Sequence, residues 1–328
     1  MSEFRQDPVT REWVIVVPER AARPHARGGA AVCPFCPGAE EQTPGVVSRL
    51  DDEQGRWLVR VIENRYPILR PTVTEPETQR DGPWHRLPGC GRHEIVIDAR
   101  EHDRMLGRFA PEQIARLLRV YAARVRELGR VPGIREVVVF RNHGEQAGAT
   151  LRHPHSQIVA TPVISPVTRR RIMDEIAYFD DHGACPLCRT LEAERESEVR
   201  FLYQSGHFAS FVPFASRVSH HLRIVPLRHC PRFDDAADAE LDDLAGHLGT
   251  VMAALETELD DPDHNLVIAS PPLDQIHQGA NHWYIDVLPR LAIPAGFEIG
   301  SGLIVTTSAP EKAAAALRGR LKPNGRAH

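Results

Sequence analysis

Short apolar runs bounded by charged or turn-forming residues recur along the first half of the chain, at 12–18 (EWVIVVP), 57–63 (WLVRVIE), 93–99 (HEIVIDA) and 134–140 (IREVVVF). Each reads as a β-strand. Between the last two, residues 111–129 place Ile114, Leu117, Leu118, Tyr121, Val125 and Leu128 at helical spacing. Pro111 suits a first turn there and Gly129 a stop, so this segment predicts an amphipathic helix. The second half repeats the mixture, with strands at 208–214, 221–227, 264–270 and 283–289 and helices at 166–181, 237–259 and 310–321. The pattern predicts an α+β fold with mainly antiparallel sheets flanked by helices.

Residues of metal-binding type follow the same order twice. The first half runs 33-CPFC-36, a strand ending near His102, a long helix, a strand and His153; the second runs 185-CPLC-188, a strand ending near His229, a long helix, a strand and His282. His102 and His153 are 51 positions apart, His229 and His282 53. Matching order, element type and spacing indicate an internal duplication joined near 165–180. Each half then offers two cysteines and two histidines, a complete tetrahedral zinc set: Cys33, Cys36, His102 and His153, then Cys185, Cys188, His229 and His282. His220, His221 and His277 are rival ligands in the second set. A thioredoxin-type redox pair would open a helix after a strand, whereas 32-VCPFCPG-38 reads as a proline-punctuated loop.

Composition narrows the alternatives. With 328 residues, 42% hydrophobic and 26% charged, the chain is an ordinary globular protein large enough for about two domains. A net charge of −4 gives no basic face for nucleic acid. No apolar run approaches the roughly 20 residues needed to cross a bilayer, and the N-terminus lacks a signal-peptide core, so a cytoplasmic protein without a membrane partner is expected.

The halves differ where it matters for chemistry. Two residues after the metal-type histidine stands His155 in the first half and Tyr284 in the second. On an extended strand residues two apart share a side, so His155 is expected beside His153, with the metal fixing their strand. The surrounding 142-NHGEQAGATLRHPHSQ-157 can present backbone N–H groups and side-chain amides to an oxyanion. A neutral imidazole attacks phosphorus without prior deprotonation, and ionised phosphates need no strong general acid or base as leaving group or acceptor. The first half therefore reads as catalytic and the second as scaffold; further metal ligation by His155, or plain burial, is the alternative.

At these residues the chain resembles the galactose-1-phosphate uridylyltransferase family, a histidine triad branch that includes ADP-glucose phosphorylase-like members. The likeness runs through 5–24, 33-CPFCPG-38, 61-VIENRYPIL-69, 93-HEIVIDAREHDRML-106, 142–157, 282-HWYIDVLPRL-291 and 296-GFEIGSG-302. It implies two tandem histidine-triad-like domains, a catalytic one at 1–170 and one at 171–328 lacking the nucleophile. It also implies ping-pong transfer of a nucleotide through a covalent nucleotidyl-His155, between a nucleotide sugar such as UDP-glucose and a hexose 1-phosphate. By the family pattern Gln157 bonds a phosphoryl oxygen, Asn142 and Thr150 help hold the phosphates, Asn64 lies near the nucleoside and Glu298 contacts the sugar. The family's zinc ligands map onto the first Cys/His set; the second set is expected to hold zinc, with iron as the alternative. A homodimer with sites near the interface is implied. Arg65 stands where an acidic residue is usual, and 299-IGSGLIVTT-307 lacks an expected glutamine, which is closer to ADP-glucose phosphorylases. A phosphorylase using orthophosphate is thus the rival enzyme, and a zinc-stabilised nucleotide-binding protein without turnover the rival from another class.

Overall fold

A computed structural model describes residues 2–22, 33–72 and 76–321. The last two residues of the 5–24 motif lie outside them. In chain order the elements are β1 (Glu3–Gln6), β2 (Trp13–Val16), β3 (Val46–Asp51), β4 (Trp57–Glu63), β5 (Gln79–Asp81), β6 (Trp84–Pro88), β7 (Arg92–Ile97), α1 (Pro111–Gly129), β8 (Glu136–His143) and β9 (His155–Thr161). There follow α2 (Pro166–His182), α3 (Pro186–Ser197), β10 (Phe201–Gln204), β11 (Phe208–Phe211), β12 (Leu222–Pro226), α4 (Asp238–Leu259), β13 (His264–Ala269), β14 (Tyr284–Pro289), α5 (Gly296–Ser301) and α6 (Pro310–Arg320).

Ten strands form one antiparallel sheet in the order β10-β11-β12-β14-β13-β8-β9-β7-β4-β3. Read outward from the centre, each half contributes the same five-strand pattern, and the two patterns meet where β8 pairs with β13, His143 opposite His264 and Asn142 opposite Asn265. The N-terminal hairpin and the β5–β6 hairpin form a separate sheet, β2-β1-β6-β5. Strands β3, β5, β6 and β10 escape the hydrophobic pattern for a physical reason. Strands β3, β5 and β6 are mostly exposed, and β10 is four residues long, so none shows a sustained apolar alternation.

The period-2 alternation sorts the sheet into two faces. One face, with Val59, Val61, Val96, Val139, Ile158, Leu222, Ile224, Leu266, Ile285 and Val287, packs under α1 and α4 in one hydrophobic cluster that spans both halves. The opposite face carries smaller clusters: Phe35, Trp57, Ile62, Ile95 and Ile97 in the first half, and Leu187, Leu191, Ala209, Phe211 and Val225 in the second. That second face carries the candidate chemistry.

Because one apolar cluster serves both halves, they should unfold together. Urea titrations followed by fluorescence and by far-UV circular dichroism are expected to share a single midpoint. Leu244→Ala, which opens a cavity at a fully buried position of α4, should lower stability by about 2–5 kcal/mol without splitting that transition.

Candidate functional site

Both Cys/His sets assemble. In each, the four ligand atoms lie within 4.8 Å of one another. A tetrahedral zinc with bonds of about 2.0–2.3 Å holds its ligand atoms about 3.3–3.8 Å apart. Cys36 Sγ stands 3.4 Å from His102 Nδ1 and 3.5 Å from His153 Nδ1. Cys188 Sγ is 3.4 Å from both His229 Nδ1 and His282 Nδ1, and Cys185 Sγ is 3.9 Å from the latter. The far ring nitrogens set the tautomers: His153 Nε2–H donates to Ala99 O at 2.8 Å and His229 Nε2–H to Gln278 O at 2.7 Å, leaving each Nδ1 lone pair aimed at the cluster. Burial holds the His153 ring below its ordinary pKa, favouring the neutral form that a metal needs. Burial and the neighbouring Cys33 push the Cys36 thiol up, a cost that a bound cation would offset. These donors suit zinc in either half.

The rival ligands fall elsewhere. His221 Nε2 lies 3.0 Å from Asp286 Oδ1, His277 Nδ1 accepts from Ala280 N–H at 3.0 Å, and His220 belongs to neither cluster. The first Cys-x-x-Cys forms a tight turn, with Cys36 N–H donating to Cys33 O. The second differs: Cys185 caps α3 and Pro186 begins it, so this pair does open a helix, although one preceded by α2 rather than by a strand.

One sequence expectation needs correction. His153 and His155 do not share a strand, because β9 begins at His155 and His153 stands in the turn before it. Pro154 cannot donate to a ladder, so the strand starts after it. The coupling between the two histidines runs through the backbone instead. His155 Nδ1 lies 2.8 Å from His153 O, and a carbonyl only accepts, so Nδ1 carries the hydrogen and Nε2 the lone pair. The His155 ring is 6% exposed, with the Phe35 ring edge-on at 5.4 Å between centroids, and it is not among the clustered ligands.

Around it the alternation of β9 brings Gln157 to the same face. His93, which sequence reasoning missed, stands between two expected residues: its Nε2 lies 2.9 Å from Gln157 Oε1, which can accept from it, and 3.0 Å from Asn64 Nδ2, a donor that only packs against it. Ile68 N–H donates to His93 Nδ1 at 3.1 Å, so Nε2 carries the hydrogen and Gln157 Oε1 accepts it, turning the Gln157 amide N–H₂ the other way. The alternation of 93-HEIVI-97 was the available signal, since it puts His93 on the face of Ile95 and Ile97. Below the strand, on the helix-covered face, Ser156 Oγ donates to Asp98 Oδ1 at 3.0 Å and bonds Tyr121 OH, while Arg141 pairs with Asp98. Burial outweighs the pull of Arg141 and lifts the Asp98 carboxyl to about 6. Asp98 N–H also donates to Pro154 O at 3.1 Å, so one residue holds the start of β9 through both side chain and backbone.

A model of the galactose-1-phosphate uridyl transferase N-terminal domain matches residues 1–165. The chain belongs to the galactose-1-phosphate uridylyltransferase family. It is 33% identical to the ADP-glucose phosphorylase of Arabidopsis thaliana over 96% of this chain and 92% of that one, and 28% identical to the galactose-1-phosphate uridylyltransferase of Thermotoga maritima over 97% and 98%. Among solved structures, the Arabidopsis phosphorylase with bound ADP-glucose superposes with a TM-score of 0.78 at 33% identity, covering 97% of this chain and 99% of that one. A uridylyltransferase structure superposes at 0.82 with 30% identity, covering 97% and 98%. The α+β fold with antiparallel sheet is the one this family shares. No helix among the described residues is long and apolar enough to cross a membrane.

Of the residues the uridylyltransferase pattern points to, Asn64 and Gln157 meet at His93. Asn142 is the next-to-last residue of β8, and half-buried Thr150 lies in the connection between β8 and β9. Glu298 stands apart: its carboxylate caps Ala295 N–H of its own short helix at 3.1 Å, and no hydrogen bond joins it to the others among the described residues. A cavity of about 260 Å³ lies elsewhere, bordered by Trp13, Ile164 and Arg169, and includes none of these residues.

The metal prediction is direct. Elemental analysis should find up to two tetrahedral metal equivalents per chain, and Cys36→Ser should lose one of them. Chelation should lower the melting temperature of the wild type; unchanged melting after verified metal removal would exclude a structural role for the first site.

Proposed function

We propose that this family member is a nucleotidyltransferase in which His155 accepts a nucleoside monophosphate from a nucleotide sugar and passes it to a second phosphate. The observation that carries the reading is the His155 Nδ1–H bond to His153 O, which commits Nε2 as the nitrogen with a lone pair. Nε2 attacks the α-phosphorus, the bond to the sugar 1-phosphate oxygen breaks, and the sugar 1-phosphate leaves as an ionised phosphate. An oxygen of the acceptor phosphate then attacks the same phosphorus and the P–N bond breaks, restoring the neutral ring. Gln157 and Asn142 stabilise charge on the phosphoryl oxygens, with Thr150 helping to hold the phosphates and Asn64 near the nucleoside. A zinc ion at the first Cys/His set would hold His153 and hence the carbonyl that sets the tautomer; it makes no bond to substrate in this scheme.

For the substrates we propose UDP-glucose with a hexose 1-phosphate. A second reading, in which orthophosphate is the acceptor and ADP-glucose the donor, is favoured by the 33% identity to the Arabidopsis ADP-glucose phosphorylase. In either case residues 1–170 form the catalytic domain and 171–328 the domain without a nucleophile. The homodimer we propose would cover the exposed apolar row Leu291, Ile293, Phe297, Ile299, Leu303 and Val305 around Glu298.

Two measurements test this. UDP-, ADP- and GDP-sugars labelled at the α-phosphorus should leave an acid-labile, base-stable label on the protein, absent in His155→Asn with metal content and melting retained. A protein that binds nucleotide yet never becomes labelled would be a binding module instead. Chasing the label with galactose 1-phosphate against orthophosphate then separates uridylyltransferase from phosphorylase. Replacing His93 by Leu should lower kcat/KM about tenfold to hundredfold by releasing the Gln157 amide, read in steady-state rates with intact melting.

A further inference from the structure

We infer that Asn265, on β13 in the second half, is the positioning residue that aims the Asn142 amide N–H₂ toward the phosphates. This rests on the proposed phosphate-holding role of Asn142. Three contacts fix the orientation without appeal to which amide atom is oxygen. Arg290 Nε–H can only donate, so the Asn265 atom facing it is Oδ1. Ala147 O can only accept, so the Asn265 atom 2.9 Å from it is Nδ2. The other hydrogen of that nitrogen goes to the Asn142 side chain at 2.9 Å, where it requires Oδ1. Asn142 Nδ2 is therefore turned away from Asn265, to the side of Gly148, where it lies 3.6 Å from the position a Cβ would take.

That orientation decides the sign of the interaction with substrate. An ionised phosphate offers only acceptors, so an amide nitrogen attracts it and an amide oxygen repels it. Asn265 is 8% exposed, and its oxygen and both hydrogens are engaged by Arg290, Ala147 and Asn142. Its role is thus exerted through Asn142 and the 144–151 loop. The end of β8 and this loop are tied to the second half at two further points, where Asp261 Oδ1 lies 2.8 Å from His143 Nε2 and Gln146 N–H donates to Asp263 Oδ2 at 2.5 Å. Gly144 is required at the second: with φ +82°, a Cβ there would sit 1.8 Å from Asp263 Oδ1.

The test is a double-mutant cycle on nucleotide-sugar turnover. Asn265→Asp replaces a donor by an acceptor of the same shape and should turn the Asn142 amide over, lowering kcat/KM about tenfold to hundredfold with metal content unchanged. In an Asn142→Ala background the same substitution should cost less than about threefold. Arg290→Met, which releases Asn265 Oδ1 without adding charge beside Asn142, should give a smaller loss of about threefold to tenfold and guards against a folding defect in the first variant. Wild-type kcat/KM in Asn265→Asp, or an equal loss with and without Asn142, overturns the inference while leaving the proposed function standing. A wild type that turns over no nucleotide sugar overturns the proposed function, and this inference with it.

Discussion

One residue holds the site together. His153 contributes Nδ1 to the first Cys/His cluster, anchors Nε2–H on Ala99 O, and offers its own carbonyl to His155 Nδ1–H. Three contacts at three different atoms tie a candidate metal ligand, the connection after β7 and the tautomer of the neighbouring imidazole into one unit. Pro154 between the two histidines has a fixed φ and no N–H, and its carbonyl is held by Asp98 N–H, so the turn has little freedom to reorient His155. The chemistry proposed for Nε2 depends on that rigidity.

The two halves share a scaffold and differ in what stands on the face opposite α1 and α4. Strand registers align Gln157 with Asp286, Ile95 with Arg223 and His155 with Tyr284, each in the same place within its strand pair. The polar link between neighbouring strands is also kept, since His93 reaches Gln157 in one half and His221 reaches Asp286 in the other. The second half nevertheless has a use in the first half's site. Through Asp261, Asp263 and Asn265, with Arg290 behind Asn265, it grips residues 142–147, and the β8–β13 pairing at the sheet centre brings those residues within reach.

Much of this was legible in the chain. Helix α1 follows from its 3.6-residue periodicity and Gly129, α2, α4 and α6 lie close to where helices were expected, and both Cys/His sets follow from a repeat whose spacing differs by only two residues. Strand ends were less so: the strand expected at 283–289 begins one residue late, at Tyr284, after His282 has turned toward the second Cys/His set, as β9 begins after the turn that holds His153. His93 and Arg290 lie inside stretches that carry the family likeness and Asn265 lies in none, yet the role of all three stayed unread, since it is set by which strands become neighbours in a ten-stranded sheet, information carried mainly by register. Glu298 was named from resemblance alone, and its own helix end occupies its carboxylate here.

The contrast between the halves also bears on the anion site proposed for the first of them. In the second half the Arg223 guanidinium is spent on Asp286 by two hydrogen bonds of 2.7 and 2.8 Å and lies 4.0 Å over the Tyr284 ring, while Arg171 approaches that ring from α2. Arg223 and His221 hold the Asp286 carboxyl well below the usual range, so the pair stays ionised and neutral in sum. A phosphate entering there would have to displace a bidentate carboxylate from a largely buried arginine, a loss that its own charge would only restore. In the first half Ile95 stands at the arginine's place, and the polar groups facing it are amides and imidazoles whose donors are oriented by neighbouring acceptors rather than neutralised by them. Uncharged, preoriented donors are what a doubly ionised diphosphate can bind without first breaking an ion pair.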